Sequence, residues 1–137
     1  MFKANYESPP PTINQTMMIN LKEAFQEVEK YFSPKIIGEV NDVYIKLAKI
    51  KGEEVPWHAH EHEDELFYIV EGSLLMQIEG ETPFTMHQGD MHIVSQGLQH
   101  RVSSQNECLV MLIENKTTAH TGKVQAAITK SVEEQQY

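Results

Sequence analysis

The fold is decided by the stretch between Gly52 and Gly72, which has the sequence GEEVPWHAHEHEDELFYIVEG. The chain has seven histidines, and three of them, His58, His60 and His62, fall within this stretch. Neutral imidazole is the commonest metal ligand in proteins, so the clustering indicates a metal site. A His-x-His pair alone is weak evidence, because a stretch rich in histidine and acid can also be a solvated loop.

Strand geometry explains how residues that are distant along the chain can meet. Side chains alternate between faces along a strand, so His58 and His60 point the same way if residues 55–60 are extended. Glu65 opens the next apolar run, and His100 lies in a later one. Nitrogen and oxygen ligands of this kind accept Fe(II), Mn(II), Ni(II), Co(II) or Zn(II), and affinity alone does not select among them.

The same alternation predicts what surrounds such a site. If Glu65 and His100 face inward, the residues two positions away on their strands do so too. These neighbours are apolar: Phe67, Ile69, Leu98 and Val102. The cavity is therefore expected to be mostly apolar, which suits a pocket where a few polar groups fix a small molecule.

From residue 35 onward, short runs typical of β-strands alternate with turn residues. The predicted strands cover residues 36–37, 43–48, 55–60, 66–70, 74–78, 84–86, 91–94, 98–102 and 108–113. Short strands at this spacing are typical of a closed barrel or jelly roll, which protects its edges. The fold class is therefore predicted to be all-β.

One amphipathic helix is predicted before the strands, over about residues 21–32. Asn20 followed by Glu23 resembles a capping box, and Ser33-Pro34 ends the pattern. The apolar residues at helical spacing are Leu21, Phe25, Val28 and Phe32. The predicted organisation is an N-terminal arm and helix over residues 1–34, a barrel over 35–114 and a polar C-terminal tail over 115–137. Residues 1–19 are predicted to be an extended or mobile arm.

Length and composition limit the classes of function. The 137 residues form one ordinary domain. The formal net charge of −9 disfavours nucleic acid and anionic membranes as partners. No apolar run approaches the roughly 18 residues needed to span a bilayer, and the N-terminus has no secretory signal pattern. Cys108 is the single cysteine, so a disulfide framework is excluded and a cytoplasmic location is expected.

The motifs resemble those of the cupin superfamily, and in particular its small, single-domain (type 2) metal-binding members. The first cupin motif, G-x5-H-x-H-x3–4-E-x6-G, is matched completely between Gly52 and Gly72. The second motif, G-x5-P-x-G-x2-H-x3-N, is matched at Gly89, Gly97 and His100, whereas serines replace its proline and asparagine at Ser95 and Ser104. The resemblance covers about residues 43–113 and implies a cupin jelly-roll β-barrel, preceded here by the predicted helix.

The resemblance also implies a ligand set and a type of assembly. One divalent transition metal per chain would be held by His58, His60, Glu65 and His100. Because the motif tolerates one residue fewer, Asp64 is an alternative to Glu65. Two positions would stay open on an octahedral ion. Small cupins often pair, so a homodimer is expected.

Cupins of this layout include dioxygenases, sugar isomerases, lyases and decarboxylases, so a metalloenzyme acting on a small oxygen-bearing molecule is one hypothesis. A non-catalytic module that binds or senses a small ligand is another, and a closed structural metal site is a third. No catalytic residue is assigned, although Tyr68, His62 and His92 are candidate bases. His87 and His92 are expected at the surface, and His120 lies in the tail without an evident partner.

Overall fold

A computed structural model describes residues 18–137, and the predicted extended arm lies almost entirely outside the described residues. The described part contains one α-helix, seven β-strands and a short 3-10 helix at Glu133–Gln135. Their bounds are α1 Leu21–Phe25, β1 Lys35–Val40, β2 Val43–Gly52, β3 Glu65–Glu71, β4 Ser73–Ile78, β5 Phe84–His87, β6 Met91–Val94 and β7 His100–Asn115. The predicted all-β class is therefore confirmed.

The predicted helix is present but much shorter than expected. Asn20 caps it, since its side-chain oxygen accepts a hydrogen bond of 3.1 Å from the Glu23 backbone N–H. The helix ends at Phe25, and Phe32 adopts a left-handed conformation with φ of +55°. Phe25 and Phe32 pack in different apolar clusters. One face of a single helix could not place both residues in this way. The prediction of a helix over residues 21–32 is therefore wrong in length.

Two antiparallel sheets share the long strand β7. One sheet has the order β1-β2-β7-β3-β6, and in the other β4 lies between β5 and β7. The first part of β7 pairs with β4 at residues 100–103, and the later part pairs with β2 and β3. Two runs predicted as separate strands, 98–102 and 108–113, therefore belong to one element, which begins at His100.

The barrel is not closed by hydrogen bonds. Among the strands of residues 18–137, β1 pairs only with β2, β6 only with β3 and β5 only with β4, so no strand pair closes the barrel. β1 has in addition one isolated bridge, from Ile36 to Gln136. The run 55–60, predicted as a strand, forms only an isolated bridge between His58 and His100. Of the predicted closed barrel or jelly roll, the closure is therefore not found in the described residues, where two sheets face each other across the core.

The main core lies between the sheets and holds Phe32, Phe67, Ile69, Met76 and other buried apolar side chains. Cys108 is a fully buried member of it, as expected for a small apolar residue. A second, smaller cluster joins Phe25 and Val28 to the opposite face of β2. The predicted helical region thus covers the outside of the larger sheet. None of the described helices is long and apolar enough to cross a membrane.

Gly72 makes the tight turn from β3 to β4 at a place where only glycine fits. Its φ is +87°, and a Cβ there would lie 2.6 Å from the carbonyl oxygen of Glu107. Gly80 has a similar φ of +79°, but no atom lies within 4 Å of its Cβ position.

We therefore expect Gly72→Ala to lower the free energy of unfolding by roughly 3 kcal/mol, because strain and a backbone clash act together. Gly80→Ala is the matched control and should cost only about 1 kcal/mol, since it meets strain alone. Urea unfolding of both variants measures the difference. Equal losses of stability in the two variants would show that the clash with the Glu107 carbonyl does not add to the cost of the substitution at Gly72.

Candidate metal centre

Three imidazoles and one carboxylate meet in the interior. The side chains of His58, His60, Glu65 and His100 each offer a ligand atom, and these atoms all lie within 4.8 Å of one another. All four residues are buried, with 1–5% of their surface exposed. The His58 and His100 ring centroids are 4.4 Å apart, and His60 lies 5.0 Å from the first and 5.6 Å from the second. These four residues could hold a metal ion.

A two-way backbone contact brings the segments together. The His58 N–H donates to the His100 carbonyl at 3.0 Å, and the His100 N–H donates to the His58 carbonyl at 2.8 Å. The Gly97 N–H donates to the His60 carbonyl at 2.7 Å. Glu65 and His100 are the first residues of β3 and β7. His58 and His60 therefore share a side because these contacts hold their loop, and not because the loop is a strand.

Backbone carbonyls fix the orientation of two imidazoles. His58 Nδ1 lies 2.8 Å from the Pro56 carbonyl oxygen, and His100 Nδ1 lies 2.9 Å from that of Leu98. A carbonyl oxygen only accepts, so each Nδ1 carries the proton and donates. Nε2 is then unprotonated and free to bind a metal, the arrangement usual for metal-binding histidines.

The buried polar atoms of the cluster fit a metal ion. His60 Nε2, Glu65 Oε2 and His100 Nε2 are all buried without a hydrogen-bond partner. His60 Nε2 and Glu65 Oε2 approach to 2.6 Å, but not with the alignment of a hydrogen bond. Buried polar atoms are nearly always paired in folded proteins. A divalent ion between these atoms would satisfy them together, and it suits the nitrogen and oxygen donor set.

Electrostatics favour the protonation states that metal binding needs at His58, His100 and Glu65. At His60, burial would lower the pKa, but the neighbouring Glu65 carboxylate outweighs it and raises that pKa. Burial lowers the pKa of His58 to about 4, and burial also lowers the pKa of His100. Burial alone would raise the pKa of Glu65, but the facing imidazoles, above all His60, outweigh it and hold that pKa below its ordinary value. At neutral pH, His58 and His100 are therefore neutral and Glu65 is a carboxylate.

The remaining sequence candidates lie away from the cluster. Asp64 is exposed, and its carboxylate accepts a hydrogen bond from the Gln96 backbone N–H at 2.9 Å, so Glu65 and not Asp64 faces the histidines. His62 and His87 are exposed, and His92 packs against Phe84 with ring centroids 4.9 Å apart.

A cavity of about 40 Å³ adjoins the cluster. Phe67 and Val102 line it, as the alternation predicted, but Ile69 and Leu98 do not. Ile69 is buried in the main core, and Leu98 is 38% exposed because β7 begins only at His100. None of the three candidate bases from the sequence lines it. Two polar residues that do line the cavity, Glu114 and His120, were not predicted from the sequence. His120 carried no local signal, since the tail's return to the site depends on tertiary packing.

Glu114 belongs to a buried polar network beside the cluster. Its carboxylate lies 2.6 Å from Lys46 Nζ, and Lys46 also donates to the side chain of Gln135. Lys46, Glu114 and Gln135 are 1%, 5% and 1% exposed. Burial and the neighbouring charge of Glu65 raise the pKa of Glu114 to about 7, against the opposing effect of Lys46. The burial of Lys46 was not predicted, because Lys46 alternates along β2 with the apolar residues Ile45 and Leu47, which suggested that it faces solvent.

We expect Lys46→Met to destabilise the protein by roughly 3 kcal/mol or more at pH 8, because it leaves a buried carboxylate unpaired. A carboxyl with a raised folded-state pKa contributes stability that is present below its ordinary 4.5 and lost as the pH rises through about 7. Without Lys46 that pKa rises further, so the deficit should be smaller at pH 5.5 than at pH 8.

Chemical denaturation at the two pH values measures this trend. Lys116→Met is the control, because Lys116 pairs with Glu39 at 2.7 Å on the surface and should contribute less than about 1 kcal/mol. A Lys46→Met deficit that does not grow with pH would contradict the unpaired-charge explanation.

We expect the wild-type protein to hold close to one divalent ion per chain and the His100→Ala variant to lose most of it. Glu65→Gln should weaken metal affinity by roughly 100-fold or more, since even residues outside the ligand shell contribute about 10–100-fold. Elemental analysis and competitive metal titration measure both effects.

Two controls separate the cluster from the polar loop beside it. Asp64→Asn and His62→Ala remove exposed groups from the same loop and should leave the metal content unchanged. Equal metal in wild type and His100→Ala, or an Asp64→Asn effect as large as that of Glu65→Gln, would refute the assignment.

Comparisons with known proteins identify the family of the chain. Residues 49–114 match the model of the cupin domain family. An uncharacterized protein of Bacillus subtilis, YdbB, is 32% identical over 99 residues, which is 72% of this chain and 87% of that protein.

The chain is also similar to solved structures, one of which is a cupin-2 domain protein. A cupin-2 domain containing protein from Shewanella frigidimarina is 34% identical, with a TM-score of 0.68 over 71% of this chain and 93% of that one. A Neisseria meningitidis protein is 30% identical, with a TM-score of 0.66 over 72% of this chain and 99% of that one. With both motif segments inside the matched region, the chain belongs to the cupin family.

Proposed function

We propose that this protein is a metal-dependent enzyme that acts on a small, oxygen-bearing organic molecule, of the dioxygenase, isomerase or lyase type. The observation that carries the proposal is the cavity. Three residues of the ligand cluster line it, His58, Glu65 and His100, and so do two polar residues that are not ligands, Glu114 and His120. A purely structural site would need no such space beside it.

The donor set supports an open coordination sphere. His58, His60, Glu65 and His100 supply four positions, and an octahedral divalent ion has six. When bound, such an ion supplies Lewis-acid chemistry, or dioxygen activation if it is iron. A structural zinc site, in contrast, is usually a closed tetrahedron.

The chain's own residues set the conditions for that chemistry. Phe67, Val102 and Leu112 give the cavity apolar walls, which limit water and strengthen electrostatic interactions inside it. The carbonyls of Pro56 and Leu98 hold two imidazoles in fixed orientations. Glu65 is taken up as a ligand and does not act as a free base in this scheme.

One observation favours a second candidate, a non-catalytic protein that binds or senses a small molecule. Tyr68, His62 and His92, the bases suggested by the sequence, all lie outside the cavity. In this alternative, the metal anchors a ligand that is released unchanged.

Turnover assays across metals and substrates separate the two candidates. Protein loaded with Fe(II), Mn(II), Ni(II), Co(II) or Zn(II) is mixed with small diols, hydroxy acids, catechols and ketoses, while oxygen uptake and NMR follow the reaction. We expect at least one pair to turn over, and His100→Ala to lower its rate by roughly 100-fold or more. Saturable binding without turnover for every pair would favour the non-catalytic role.

A further inference from the structure

The C-terminal tail folds back onto the loop that carries His58 and His60. Gly122 has a φ of +58°, and a Cβ there would overlap the carbonyl oxygen of Ala59, the residue between the two histidines. Lys123 pairs with Glu61 of the same loop at 2.9 Å. The tail is therefore seated directly against the candidate metal centre.

Buried contacts hold the tail in this position. Thr121 is 1% exposed, and its hydroxyl lies 2.7 Å from that of Thr129. Ile128 joins the main apolar core, and Gln135 contacts the buried Lys46. The segment after β7 is thus a packed part of the fold that borders the cavity.

His120 is the tail residue that lines the cavity, together with His58, Glu65 and His100. Its Nδ1 accepts a hydrogen bond of 2.9 Å from the Lys130 backbone N–H. A neutral imidazole that accepts at Nδ1 carries its proton on Nε2, so the other edge of the ring is a hydrogen-bond donor. Burial lowers the pKa of His120 to about 4, which keeps the ring neutral at physiological pH.

We propose that His120 is a ligand-positioning residue whose Nε2–H donates a hydrogen bond to an oxygen of the molecule held at the metal centre. With Nδ1 occupied, the ring can only donate, so it selects ligands with an acceptor oxygen, such as a carboxylate or a carbonyl group. This inference rests on the proposed metal site, but it does not require that the bound molecule reacts.

The size of the cavity restricts that ligand further. A volume of about 40 Å³ holds roughly three water-sized groups. Formate is small enough for this volume and carries the acceptor oxygens that the proposal requires, so it is a suitable probe.

Three substitutions at position 120 distinguish the contribution of the Nε2 donor from that of the Nδ1 acceptor. His120→Gln places an amide N–H near the position of Nε2 and restores the donor. His120→Asn places its amide oxygen near the position of Nδ1, so it keeps the Lys130 contact without the donor. His120→Phe keeps the ring and removes both polar edges.

The test measures formate binding to the Co(II)-loaded protein through the visible absorption of the ion, and elemental analysis gives the cobalt content. All variants should hold as much cobalt as wild type. His120→Asn and His120→Phe should weaken formate binding by roughly tenfold to a hundredfold, the range for a hydrogen bond to a charged group. His120→Gln should stay within about threefold of wild type.

Several outcomes would overturn the proposal. Equal formate affinity in all four proteins, or loss of cobalt from His120→Asn, would show that His120 is only structural. Cobalt-loaded wild type that binds no formate would refute the ligand class, and wild type that binds no cobalt would refute this inference and the metal site together. Absence of turnover in the separate assays would contradict the enzymatic role alone and leave a measured effect of His120 in place.

Discussion

The reciprocal hydrogen bonds between the backbones of His58 and His100 are the constraint on which the site depends. The loop before β3 has no regular strand of its own, and this bridge fixes it against the start of β7. Because β7 belongs to both sheets, a loop held there is held relative to the whole core. The geometry of the candidate metal centre is thus set by main-chain pairing, which positions the imidazoles of His58 and His100.

Much of the centre could be predicted from spacing. The two histidines separated by one residue, the glutamate at the start of an apolar run and the later histidine do lie together, and Phe67 and Val102 border them as period-2 alternation requires. That the four residues bind a metal stays a prediction. The prediction that residues 55–60 form a strand was wrong, since this run makes only an isolated bridge between His58 and His100.

What could not be predicted depends on contacts between distant segments. Phe32 continues a helical pattern in the sequence, yet it leaves the helix to fill a different core. Lys46 sits within an apolar run and is buried only because Glu114 and Gln135 meet it. His120 follows a polar stretch that gives no sign of returning to the loop at Ala59. Local patterns carry no information about such long-range partners.

The burial of Cys108 makes its thiol chemically unreactive. Burial raises the pKa of its thiol to about 12, and the side chain is wholly inaccessible to solvent. The thiolate, which is the form that attacks oxidants and binds soft metals, is therefore essentially absent at physiological pH. Because Cys108 is the only cysteine of the chain, oxidants in the surrounding solution have no accessible thiol to react with.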